Sequence, residues 1–246
     1  MILVCTDTHS YFGYINDQIE YAERILGVQV SSVIHLGDFG IYKSELHNFF
    51  IKLGQRFLRP VYFIEGNHED FETFPWLVKD YGDFFTHLPR GAITHIDGYR
   101  FLSLGGAAYM DAMITQQGAV IKDCHIDECL AITPEEVDIV LTHDCPTGIG
   151  VPNSPGLGHY GQTGFPRSQE LAAHFKPKIW LFGHHHKWYE HGDRHSVYYG
   201  LAEIWKGFGL LDRDYQFKII RHPLEKEEEQ MSFIDRALIR LKIINR

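Results

Sequence analysis

The sequence predicts an α/β fold in which two mixed β-sheets pack together with helices outside, and three observations carry that expectation. Short apolar runs alternate with segments at helical spacing, the pattern of βαβ units. Two stretches, residues 92–108 and 196–220, break the alternation and read as further strands, some of them antiparallel. A chain of 246 residues is ample for one large core. The domain is expected over residues 1–222, with 223–246 forming a C-terminal amphipathic helix docked on it.

Ile2-Leu3-Val4-Cys5 reads as the first strand and leads into Asp7-Thr8-His9. Ile15, Ile19, Ala22 and Leu26 then recur at helical spacing. Val33-Ile34-His35-Leu36 is the second apolar run and leads into Gly37-Asp38. Ser44 is placed to cap a helix carrying Leu46, Phe49, Phe50 and Leu53. Val61-Tyr62-Phe63-Ile64 leads into Gly66-Asn67-His68-Glu69, and Val137 to Leu141 leads into Thr142-His143-Asp144. A helix is expected over Ser168 to Phe175, closed by Pro177. Ile179-Trp180-Leu181-Phe182 leads into Gly183-His184-His185-His186. In the tail, Met231, Ile234, Leu238 and Leu241 share one helical face.

Composition narrows the function. The net charge of −9 argues against a broad basic surface for duplex nucleic acid. No run of 18 apolar residues is present, so no transmembrane helix is expected. The N-terminus has no basic region before its apolar run, and a cytoplasmic location is the expectation. Four cysteines in such a chain read as free thiols.

Five polar clusters each follow a strand, where open α/β sheets place their reactive loops. They offer carboxylate, imidazole and amide groups and no thiolate, a donor set suited to manganese, iron or zinc. In extended backbone residues i and i+2 face the same side, so Asp7 and His9 can share one ion, as can His184 and His186. His185 is then directed elsewhere. Asp38, at the tip of its strand, is the natural bridge between two cations. His191 and His195 read as surface or supporting groups.

The series D-x-H, G-D, G-N-H-E, T-H and G-H-x-H, from Asp7 to His186, resembles the calcineurin-like metallophosphoesterases. The resemblance implies two mixed sheets sandwiched between helices in four layers (αββα). It implies a phosphoric ester hydrolase with two divalent metal ions, manganese expected and iron or zinc the alternatives. Asp7, His9 and His186 would hold the first metal; Asn67, His143 and His184 would hold the second; Asp38 would bridge them. Asp38 and Asn67 thus serve catalysis through the metals, with a metal-bridging hydroxide as the attacking group. His68 would contact the phosphate and protonate the leaving oxygen.

Gly37-Asp38-Phe39-Gly40 lacks the arginine that protein phosphatases of this superfamily carry after their G-D block. Thr142-His143-Asp144-Cys145-Pro146, His159-Tyr160-Gly161 and the Gly66–Glu69 block are similar to RNA lariat debranching enzymes. A phosphodiester of a nucleotide or nucleic acid is therefore the expected substrate, contacted by Asn67, His68, His159 and Tyr160. A phosphomonoesterase and a non-catalytic metal-binding scaffold are the alternatives. No membrane partner is expected, and monomer and homodimer both stay open.

Overall fold

The computed structural model describes residues 1–224 apart from 111, 112, 114 and 155. The expected C-terminal helix lies outside the described residues.

One six-stranded sheet has the order β12-β11-β1-β2-β3-β4. Strands β1 (Ile2–Cys5), β2 (Ser32–His35), β3 (Val61–Phe63) and β4 (Thr86–His87) run parallel. Strands β11 (Gly207–Leu211) and β12 (Phe217–Arg221) add antiparallel at one edge. The second sheet has the order β5-β6-β7-β8-β10-β9. Its parallel centre is β6 (Tyr99–Leu104), β7 (Ile139–Thr142), β8 (Ile179–Phe182) and β10 (Val197–Gly200). Strands β5 (Ala92–Ile96) and β9 (Tyr189–Gly192) flank it antiparallel. Both sheets are mixed, as the two irregular stretches predicted.

Strand alternation builds the layers. Ile2 and Val4 pack with Ile34, Phe101, Ile139, Leu141 and Leu181 between the two sheets. Leu3 and Cys5 point the other way and pack with Ile15, Ile19 and Ala22 of helix α1 (Gly13–Arg24). Leu102, Leu104 and Val140 face outward from the second sheet. They meet Ile126 of helix α4 (Asp123–Leu130) and Leu171 of helix α5 (Ser168–Phe175). Period-2 burial on both faces of buried strands thus yields helix, sheet, sheet, helix.

The structure corrects several local expectations. Helix α1 stops at Arg24, so Leu26 is not on its buried face and stays 38% exposed. Ser44 does not cap the next helix: α2 (Lys43–Leu46) starts one residue earlier, with Tyr42 before it. It then widens into a π-helical turn, His47–Lys52, which carries Phe49 and Phe50 against the Phe12 ring at 5.4 and 5.8 Å. Helix α3 (Phe74–Asp80) and the short edge strands β4 and β9 add to the elements expected from the sequence. The exposed residues of β9 leave no apolar alternation to find. All four cysteines are free thiols. No helix among the described residues is long and apolar enough to cross a membrane.

Candidate metal centre

The carboxyl ends of β1, β2, β3, β7 and β8 release their loops at one rim between the sheets, and backbone bonds knit those loops together. The Asp7 amide donates to Gly37 O at 3.0 Å, the His9 amide to Asp38 O at 2.9 Å, and the Gly183 amide to His143 O at 3.0 Å. All seven expected metal ligands converge there.

Asp38 stands in the middle. Its Oδ1 lies 3.4 Å from His143 Nε2, and its Oδ2 lies 3.9 Å from His9 Nε2. The amides of Asn67 and His68 both donate to Oδ1 at 2.8 Å, which fixes the carboxylate's rotamer. On one side Asp7, His9 and His186 bring their ligand atoms close together, with His186 Nε2 3.1 Å from Asp7 Oδ1. On the other, His143 Nε2 lies 3.0 Å from Asn67 Oδ1, and the His184 ring stands 4.9 Å from the His143 ring. His143 Nδ1 donates to Leu36 O at 2.7 Å, so Nε2 is the nitrogen free to face a cation.

The pairing of residues two apart has a different cause from the one expected. Asp7, His9, Asp38, His184 and His186 all have positive φ, between 47° and 65°. The backbone there is left-handed, not extended. Such torsions are uncommon outside glycine and cost about 1–3 kcal/mol each when the surroundings impose them. Their concentration at five of the seven expected ligands marks this rim as the functional end of the fold. His185 does turn away, and its Nε2 meets Asp144 Oδ1 at 2.9 Å.

Two glycines make the convergence sterically possible. A Cβ at Gly66 would lie 2.0 Å from Asp38 Oδ1, and one at Gly37 would lie 2.4 Å from His143 Nδ1. Both positions need the close approach that only glycine permits.

The donor set fits divalent cations electrostatically. Burial alone would raise the carboxyls of Asp7 and Asp38, yet the imidazoles of His186 and His143 hold both well below the usual carboxylate range. Burial alone would lower His143, but the Asp38 and Asp7 charges raise it to about 10. His186 is raised to about 9 against its burial, chiefly by Asp7. Two buried carboxylates therefore gather positive charge around them, which is the demand a pair of cations would meet. His184, pushed down to about 4 by burial, keeps a neutral ring with a lone pair to offer.

Three supporting carboxylates had no assigned role in the sequence. Glu69 is fully buried and accepts the amides of Phe39 (2.9 Å), Gly40 (2.9 Å) and Ile41 (2.6 Å), clasping the turn after Asp38. Burial and then the Asp38 charge push its carboxyl up to about 8. Asp144 accepts the amides of Ala108 and Cys145 as well as His185, so the Asp144, Cys145 and His185 grouping is already internally bonded. Glu203 is 8% exposed and sets Oε1 3.5 Å from His186 Nδ1 while Lys206 pairs with its other oxygen at 2.7 Å. Glu69 was visible as the last residue of its block; Glu203 carried no signal, because it reaches the rim from a distant loop.

Glu203→Gln is expected to weaken manganese binding about 10–100-fold, the usual effect of losing a carboxylate behind a ligating histidine. Calorimetric titration of the metal-free protein reads this directly, and an unchanged affinity would remove Glu203 from the centre.

The expected substrate residues divide. Asn67, His68 and Tyr160 all line a cleft of about 520 Å³ beside the centre. His159 is exposed, with its ring 4.1 Å from that of Tyr160, and does not line the cleft. His191 and His195 are exposed.

Comparison with known proteins gives the same direction. A sequence profile of the calcineurin-like phosphoesterases matches residues 1–188. Comparison with curated proteins returns no match. The solved structure of TT1561 from Thermus thermophilus superposes with a TM-score of 0.60 at 14% identity, covering 89% of this chain and 97% of that one. Phosphopantetheinyl hydrolase from Mycobacterium tuberculosis gives 0.54 at 12% identity, over 82% and 89%. GAP50, the anchor in the inner membrane complex of Plasmodium, gives 0.52 at 13%, over 99% and 94%. At these identities the likeness is one of fold.

Proposed function

The chain belongs to the calcineurin-like phosphoesterase family, and from that premise we propose that it is a two-metal phosphodiesterase acting on an ester of nucleotide type. The observation that carries the reading is Asp38, whose two oxygens face imidazoles of two different donor groups. Asp7, His9 and His186 would hold one cation, Asn67, His143 and His184 the other, with Asp38 shared. Two such cations would make water nucleophilic near neutral pH and offset phosphate charge. Manganese is the expected occupant for this mixture of oxygen and nitrogen donors.

The chain's own residues supply the rest. The Asn67 amide orients a phosphate oxygen at the cleft mouth. The His68 main chain is held from both sides, its amide on Asp38 and its carbonyl accepting the Tyr42 hydroxyl at 2.9 Å. That leaves the imidazole projecting into the cleft, where it delivers a proton to the leaving oxygen. Among the described residues lining the cleft there is no lysine or arginine. A phosphomonoester dianion lacks the guanidinium it would favour, whereas a singly charged diester needs none.

The test is to strip the protein of metal, restore manganese, and compare bis-p-nitrophenyl phosphate with p-nitrophenyl phosphate. Metal-dependent turnover with the diester preferred is the expected result. A strong monoester preference would make the protein a phosphatase. Two bound metals with no turnover of either ester would return it to the scaffold alternative.

A further inference from the structure

A groove at the centre and a second pocket beyond Ser10 differ in the charge of their linings. The first, of about 520 Å³, starts at Asn67, His68 and His184. Its lining also includes Tyr109, Met110, Leu157 and Tyr160 and the side chains of Asn153 and Gln162. Its lining acid, Asp144, is engaged by the Ala108 amide (3.0 Å), the Cys145 amide (2.7 Å) and His185 (2.9 Å). The groove is thus apolar and aromatic, with neutral polar groups and no cation among its described residues. The second, of about 620 Å³, opens at Ser10, one residue past His9. It is lined by Asp17, Glu20 and Glu45 against a single Arg56. That guanidinium donates to Phe50 O and Gln55 O, both at 2.7 Å, and lies 4.5 Å over the Phe84 ring.

A polynucleotide crossing such a centre carries a phosphate at every step, and proteins meet those phosphates with lysine and arginine. Here the groove at the centre has no lysine or arginine among its described lining residues, the pocket beyond Ser10 is acid-rich, and the chain as a whole carries −9. In the groove at the centre, positive charge for a phosphate would come from the two cations. A groove of this size takes one small organic group. Tyrosine faces and side-chain amides recognise a neutral planar ring with polar edges.

We infer that the substrate is a compact phosphodiester with a single phosphate, one of whose ester groups is a neutral nucleoside-sized ring system lodged in the groove that Tyr109 and Tyr160 line. The inference rests on the phosphodiesterase reading for its reaction and on the groove lining for its class. It narrows the substrate to a small nucleotide ester and excludes a nucleic-acid strand.

The experiment uses the full chain loaded with manganese and three esters: methyl p-nitrophenyl phosphate, thymidine 5′-(p-nitrophenyl phosphate), and the latter carrying a 3′-phosphate. Ring stacking should raise kcat/KM for the thymidine ester about 10–100-fold over the methyl ester. The 3′-phosphate should cost about tenfold or more of that gain. Tyr160→Ala should raise KM for the thymidine ester more than for the methyl ester. Equal kcat/KM for methyl and thymidine esters, or a gain from the 3′-phosphate, overturns the inference and leaves the phosphodiesterase reading standing. If no diester is hydrolysed, that reading fails, and calorimetry with thymidine 5′-methylphosphonate decides the groove separately. Binding that weakens on adding a 3′-phosphate supports the inference; no binding, or tighter binding with the extra phosphate, overturns it.

Discussion

Asp38→Asn is expected to abolish metal-dependent turnover while the protein stays folded. The asparagine oxygen can still accept the Asn67 and His68 amides that now donate to Asp38 Oδ1 at 2.8 Å, so the turn over the centre keeps its support. What disappears is the negative charge that Asp38 sets between the imidazoles of His9 and His143. Both proposed cation sites would lose their shared ligand together. The metal-free fold should tolerate the change, because the two amide bonds to Oδ1 remain. Two measurements check this. Metal content after equilibration with manganese should drop sharply. The thermal stabilisation expected from manganese in the parent protein, about 2.7 kcal/mol at 100 times the Kd, should shrink toward zero in the variant. A variant that keeps its manganese and its turnover would show that Asp38 bridges nothing.

His68→Ala is expected to have the opposite signature, with full metal content and crippled chemistry. Its side chain is exposed, and its ring centre lies 5.6 Å from that of His9. The bonds that tie residue 68 to Asp38 and Tyr42 come from the main chain and survive the substitution. A general acid contributes about 10²–10⁴-fold when the leaving group is a poor one. Turnover of an alkyl diester should therefore fall by about that factor. An aryl diester with a nitrophenolate leaving group needs little protonation and should suffer much less. Equal losses on the two esters would assign His68 to phosphate binding alone, and lost metal would make it structural.

The fold was largely legible because burial is written locally. Ile2, Val4, Leu3 and Cys5 alternate between two cores within four residues, and the same period marks β7 and β8. Helix α5 was found to its ends because the left-handed turn at Lys176 and Pro177 stop it at Phe175. The π-helical turn over His47–Lys52 escaped, since the ring packing it serves joins residues from Phe12 to Phe84. Strands β4 and β9 escaped because two residues, or four of which three are exposed, carry no periodic signal.

The sequence by itself determined the layer order and the five donor clusters, because apolar periodicity and ligand chemistry are properties of neighbouring residues. Only the tertiary structure decided that Asp7, His9, Asp38, His184 and His186 sit in left-handed backbone, since nothing in an aspartate or histidine announces the sign of its φ. It alone placed Glu203 behind His186 and brought Tyr160 to the same cleft as His68. Those meetings depend on how loops from two sheets converge at one rim, and strand pairing between residues more than a hundred positions apart sets that convergence.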